Sequence, residues 1–235
     1  MWHTILRILF PSPCVQCGFL SEALCGRCFY EVEFRPHVRD LEGLRVCSAL
    51  FYEEKSIVGR LIRPFKYSHQ ADLFRIFVPW MKEALRLLGV GEKVIFMPVP
   101  LHKSRELERG YNQAELLAKW IAKDWGCPVM NVVRRVKDTG SQAKLADRKS
   151  RKENMQGAFE VDKGRLGFAE EGYPIVLVDD IVTTGSTLLA CAQALRAAGA
   201  EHVFALTLAD REKKTCARDG RFAKYSRQAY GRGAI

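Results

Sequence analysis

Residues 175–178 read IVLV, an unbroken apolar run, and the chain then meets two adjacent carboxylates, Asp179 and Asp180. A strand with one face in water alternates apolar and polar side chains. A continuous apolar run belongs to a strand covered on both faces, which is the condition of a parallel sheet flanked by helices. Three other runs share this character: residues 46–53 (VCSALFYE), 94–100 (VIFMPVP) and 203–209 (VFALTLA). Helical spacings lie between them: Ile57, Leu61 and Phe65; Leu73, Phe77, Met81 and Leu85; residues 113–125; and an Ala/Leu pattern that starts at Ser186 and ends at Gly199. Pro64 is expected to break the first of these and to set Arg63, Lys66 and His69 together in a connecting segment. A short strand is expected at residues 129–133, followed by a polar, basic stretch at 134–154 with no core face. Strand–helix alternation of this kind predicts an α/β fold with a mostly parallel sheet. In such sheets ligands bind beyond the carboxyl ends of the strands.

The chain has 235 residues, enough for one main domain with a small appendage. The expected division is an N-terminal module at 1–42, the α/β domain at 43–210, and a basic tail at 211–235 that loses apolar periodicity. With 48% hydrophobic and 27% charged residues the chain can bury a core. Its 37 Lys+Arg against 27 Asp+Glu leave +10, a balance that suits polyanionic partners but does not by itself require one. No apolar run reaches the roughly 18–20 residues of a membrane span. The N-terminal TILRILF is short and split by Arg7, and PSPC is not a small-residue cleavage site. The expectation is a cytoplasmic protein without membrane insertion, whose cysteines are metal ligands or thiols before they are disulfides.

Four of those cysteines form two C-x2-C pairs, Cys14 with Cys17 and Cys25 with Cys28. Each pair turns two thiolates toward one point, and two such turns close a tetrahedral shell around Zn²⁺. The segment has little apolar content of its own, so metal binding would supply most of its folding free energy. Free thiols or a pair of bridges are the competing readings. A zinc ribbon could bind nucleic acid, dock a protein, or brace the main domain, and the spacing does not choose among them. Cys47, Cys127, Cys191 and Cys216 stand alone and read as core or surface thiols.

Beyond Asp179 and Asp180 the chain passes through Thr183, Thr184, Gly185, Ser186 and Thr187 into the last helix. Free amides at a helix N-terminus attract an anion, a glycine lets the backbone approach it, and hydroxyls add donors. Two carboxylates would repel a phosphate unless they accept hydrogen bonds from sugar hydroxyls or hold a metal-bound ligand. A phosphorylated ribose satisfies both halves. The segment is neither a Walker A loop nor a dinucleotide G-x-G-x-x-G. A helix cap alone would account for one residue of the array and not for the rest.

The stretch VLVDDIVTTGST resembles the phosphoribosyl-pyrophosphate (PRPP) signature of type I phosphoribosyltransferases. The wider chain resembles the ComF family of competence-associated proteins through the four-cysteine ribbon, PFKY, PVPLHKSRELERGYNQAELLA, SQAKLADRKSRKENMQGAF and the PRPP signature, together most of residues 10–210. The resemblance implies a type I phosphoribosyltransferase-like domain behind a zinc ribbon. It implies that the loop after MPVP contacts diphosphate through His102, Lys103, Ser104, Arg105, Arg109 and Gly110, with Asn112, Gln113 and Lys66 beside it. Arginine suits that ligand because it pairs bidentately with phosphate oxygens. Lys103 and Arg105 also read as a solvated surface run. The resemblance further implies a hood over the ligand, carrying Gln142, Lys144, Arg148, Arg151 and Asn154. The same basic segment would serve a polynucleotide backbone equally well.

Three functions stay open at this point. One is an enzyme that binds PRPP with Mg²⁺ and transfers phosphoribose to a nitrogen base or amine, with Asp179 and Asp180 on the ribose hydroxyls and residues 183–187 on the 5′-phosphate. The second, which the ComF resemblance implies, is a PRPP-type site within a protein that handles single-stranded DNA during uptake, alongside a helicase-like competence partner. In the third, PRPP or a nucleotide switches assembly of a DNA-handling complex. No distinct base-recognition signature is present, and one fold hosts many functions.

Overall fold

The computed structural model describes residues 12–67, 70–137, 155, 157–167 and 172–211. Its centre is a five-stranded sheet. In chain order the strands are β3 (His37–Leu41), β4 (Leu44–Phe51), β5 (Ile95–Pro98), β8 (Ile175–Val182) and β9 (Val203–Asp210); in space they run β3-β4-β9-β8-β5. All neighbours are parallel except β3, which pairs antiparallel with β4. The expected mostly parallel α/β sheet is therefore present. A segment at 128–130 extends it past β5 by a single parallel bridge between Phe96 and Val129, flanked by bonds from Phe96 N–H to Pro128 C=O and from Met130 N–H to Phe96 C=O.

Alternation along the strands sorts side chains into two cores. Val176, Val178, Leu206, Leu208 and Phe96 face one side; Ile175, Leu177, Val203, Ala205 and Met97 face the other. The first side is covered by α2 (Ile57–Tyr67), α3 (Phe74–Arg86) and α5 (Gln113–Trp125), the second by α6 (Ser186–Ala197). A short helix α4 (Lys103–Arg109) joins β5 to α5, and β6 (Val133–Arg135) pairs antiparallel with β7 (Phe159–Val161). From β8 the chain crosses through α6 to β9 on one side, while from β5 it crosses through α5 to 128–130 on the other. The connections diverge between β5 and β8, so a crevice opens at their carboxyl ends.

Three expectations need correction. Pro64 does not break the helix but lies inside α2. The one bond lost with its N–H is outweighed by a face that buries Val58, Leu61, Ile62 and Phe65. The strand expected at 129–133 is only a bridge, and regular pairing starts at Val133. The division at residue 42 falls in the turn of the β3–β4 hairpin, so residues assigned to the N-terminal module form the edge of the main sheet. That turn has two residues, Glu42 at φ 51° and Gly43 at φ 80°, the positive-φ pair that matches the twist of a tight hairpin.

The N-terminal module consists of β1 (Ser12–Pro13), β2 (Leu20–Ser21) and a single turn α1 (Gly26–Phe29). It packs onto α3, where Phe29 stacks on Trp80 with centroids 4.9 Å apart, and Arg60 of α2 donates to the Val15 carbonyl at 3.2 Å. Among the described residues no helix is long and apolar enough to cross a membrane.

Candidate phosphoribosyl site and four-cysteine cluster

β5 stops pairing at Pro98↔Val178, whereas β8 continues against β9 to Val182↔Asp210. Asp179 and Asp180 thus stand within a strand, with its β5 side open beyond Val178. Because side chains alternate, the two carboxylates leave the strand on opposite faces. Asp180 takes the face of α2, where Lys66 Nζ lies 2.9 Å from its Oδ1. Asp179 takes the face of α6, and its Oδ1 accepts the Asp180 N–H at 2.8 Å. Burial first, then the neighbouring Asp180 carboxylate, push Asp179 up to about 7 against the pull of Lys66 and Arg135. Behind it Cys191 is fully buried, its thiol raised by that burial and by Asp179.

Lys66 is held in place by its own helix end. The Phe65 carbonyl, near the end of α2, accepts from the Tyr111 hydroxyl and from Gln113 Nε2 at 3.3 Å. Burial raises the Tyr111 phenol, which keeps it a donor. Gln113 Oε1 in turn accepts from Arg109 Nη1 at 3.0 Å. Arg109 is only 8% exposed, and its guanidinium lies 5.2 Å from the Tyr67 ring centroid. Its Nε is buried without a hydrogen-bond partner, and among the described residues it has no acidic partner. A buried guanidinium in this condition is costly unless an anion completes it.

Gly110 ends α4 in the left-handed conformation, and Asn112 caps α5 by accepting the Ala114 N–H while donating to the Val99 carbonyl at 3.1 Å. Lys103 is exposed and Arg105 half-buried on α4, whose first turn is capped by the His102 imidazole. Lys66, Asp180, Arg109 and Gln113 are thus drawn into one network, while Asn112 is occupied by capping. Gln142, Lys144, Arg148, Arg151 and Asn154 of the expected hood lie outside the described residues, as does the tail beyond Arg211.

In the segment at 183–187 Gly185 adopts φ 80° and occupies the N-cap of α6, so the N-cap residue itself offers no side-chain cap. Thr184 Oγ1 and Ser186 Oγ are 2.9 Å apart, and the Ser186 N–H reaches Thr184 Oγ1 at 3.4 Å. Thr183 is exposed, while Ser186 and Thr187 are half-buried. Helix amides, a glycine without a cap and adjacent hydroxyls form a cradle for an anion. The sequence reasoning missed the wall of that cradle. Arg39 of β3 donates from Nη2 to the Thr183 carbonyl at 3.2 Å, and its Nε lies 2.9 Å from Asp210 Oδ2. Alternation in HVRDL, with His37, Arg39 and Leu41 on one face, was the available signal.

The sulfurs of Cys14, Cys17, Cys25 and Cys28 all lie within 4.8 Å of one another, and the Cys17 and Cys25 sulfurs are 3.7 Å apart. Tetrahedral ligation with bonds of about 2.3 Å places sulfurs about 3.8 Å apart, so the cluster is of the right size for a metal ion. The Cys25 N–H points at the Cys14 sulfur at 3.5 Å. Burial pushes the Cys14 thiol up, but hydrogen bonds from Cys17, Cys25 and Gln16 outweigh it and leave it at about 6.

Comparison with known proteins agrees with this architecture. The phosphoribosyl transferase domain matches residues 108–228. Competence protein F of Haemophilus influenzae is 31% identical over 199 residues, covering 76% of this chain and 81% of that protein. The DNA utilization protein YhgH of Escherichia coli (strain K12) is 31% identical over 81% of this chain and 80% of its own length. Competence protein ComFC of Bacillus subtilis (strain 168) is 27% identical, over 77% and 70% respectively. With a phosphoribosyl transferase domain over half its length and these relatives along most of it, the chain belongs to the ComF family.

Proposed function

We propose that this protein binds PRPP, or a related ribose phosphate with Mg²⁺ on its diphosphate, and that it uses the site while handling single-stranded DNA in competence or DNA utilization. The observation that carries the ligand reading is the buried guanidinium of Arg109, which has no acidic partner among the described residues and is tied through Gln113 and the Phe65 carbonyl to Lys66 and Asp180. In this reading Arg109 and Lys66 face the diphosphate, with Lys103 and Arg105 at the rim. Asp179 and Asp180 flank the ribose hydroxyls, and residues 183–187 hold the 5′-phosphate. The names of the relatives and the net charge of +10 support the DNA role. Gln142, Lys144, Arg148, Arg151 and Asn154 would supply the hood and the backbone contacts. A helicase-like competence protein fits as partner, and a cytoplasmic location would keep the four cysteines reduced for zinc.

A second reading, transfer of phosphoribose to a nitrogen base or amine, is favoured by Asp179. A carboxyl near 7 can take a proton from such an acceptor at neutral pH.

The test is fluorescence anisotropy of labelled single-stranded DNA at two salt concentrations, with and without PRPP–Mg²⁺, beside calorimetry of PRPP–Mg²⁺ alone. Salt-dependent DNA binding that PRPP modulates is the expected result. PRPP binding without DNA binding at low salt would favour transfer, and binding of neither would overturn the proposal.

A further inference from the structure

The antiparallel edge strand β3 meets the phosphate loop at two independent points. At the first, Arg39 faces two groups: its Nε forms an ion pair with the Asp210 carboxylate at 2.9 Å, and its Nη2 donates a hydrogen bond to the Thr183 carbonyl at 3.2 Å. Asp210 is fully buried at the carboxyl end of β9, paired in register with Val182 and Phe51, and its Oδ2 is also 3.4 Å from His37 Nε2. The His37 ring is itself fixed by stacking on Phe51 at 4.2 Å. At the second point, Leu41 fills the space beside Gly185, where a methyl group would stand 2.3 Å from Leu41 Cδ1.

These contacts bear on what the loop presents. In a planar trans peptide the C=O and the following N–H point in opposite directions. A guanidinium that holds the Thr183 carbonyl toward β3 therefore turns the Thr184 N–H away from β3 and into the loop. Leu41 meanwhile keeps position 185 free of a side chain, so that Gly185 can hold its left-handed backbone. We propose that Arg39, anchored on Asp210, is a positioning residue for the phosphate loop, and that with Leu41 it sets the orientation of the amides that receive the 5′-phosphate. This inference rests on the ribose-phosphate reading above and assigns no ligand contact to Arg39 itself. A lysine in its place would keep the charge beside Asp210 but could not span carboxylate and carbonyl with one planar fork.

The experiment is calorimetric titration of the full chain with ribose 5-phosphate and, separately, with inorganic diphosphate, for the wild type, Arg39→Lys and Asp210→Asn. Melting temperatures are measured for each. Arg39→Lys should weaken ribose 5-phosphate roughly tenfold or more, the loss of one charge-assisted positioning bond, while diphosphate stays within about twofold. Asp210→Asn should shift the same ratio in the same direction. Unchanged ribose 5-phosphate affinity in Arg39→Lys overturns the inference, and so does equal loss of both ligands, which a merely structural role would give. A wild type that binds neither ligand overturns the ribose-phosphate reading, and this inference falls with it.

Discussion

Replacing Gly185 with alanine perturbs the turn that opens α6 in two separable ways. The backbone there sits at φ 80°, and a side chain in that region costs about 1–2 kcal/mol. The new methyl group would also stand 2.3 Å from Leu41 Cδ1. Leu41 is 7% exposed and packed in the core around α6, so it has to shift, and overpacking of this kind costs about 1–3 kcal/mol. The sum, about 2–5 kcal/mol, corresponds to a fall in Tm of roughly 5–15 °C for a domain of this size. Leu41→Ala alone should cost about 2–5 kcal/mol through the cavity it leaves. Combined with Gly185→Ala it vacates the space that the methyl group needs. The double variant should therefore be more stable than the sum of the singles predicts, by about 1–3 kcal/mol, with the φ cost left over. Urea denaturation of the four proteins in the cycle measures this directly. Strict additivity would show that the methyl group does not meet Leu41, and a Gly185→Ala variant as stable as the wild type would refute both parts of the reasoning.

Three further outcomes are expected. Asp179 is raised from 3.8 to about 7, so its contribution to stability is fully present below about pH 4 and is lost as pH rises through 7. Asp179→Asn should flatten that part of the stability–pH curve by on the order of 4 kcal/mol, and parallel curves between pH 4 and 8 would exclude the assignment. Arg109→Lys keeps a charge but loses the fork; it should weaken diphosphate roughly tenfold and ribose 5-phosphate less, whereas an equal loss would make Arg109 a bracing residue only. Cys14→Ser should lower bound zinc well below one equivalent by elemental analysis and loosen the N-terminal module, and full occupancy in that variant would defeat four-cysteine ligation.

The parallel sheet was legible because its strands are buried on both faces and so lack alternation. The helix at about 113–125 was legible from its apolar spacing, and the structure shows Asn112 capping it and Gly126 ending it. Pro64 misled because the cost of a missing N–H is local, while the burial that offsets it depends on what α2 packs against. The edge strand β3 was passed over because residues 37–41 carry histidine, arginine and aspartate, which look like loop until their partners are known.

The sequence by itself determined the chemistry within reach: a strand that runs into two carboxylates, a glycine and hydroxyls opening a helix, and two C-x2-C pairs. Those are local, because adjacent residues on a strand, a turn or a helix start are neighbours whatever the rest of the chain does. Only the tertiary structure decided which distant groups complete them. Lys66 reaches Asp180, Arg109 is buried against Gln113, and Arg39 bridges Asp210 to Thr183 across a separation of 144 residues from that carbonyl. Pairings of this kind depend on how strands order in the sheet and which way each side chain leaves it, and neither is encoded in any short stretch of residues.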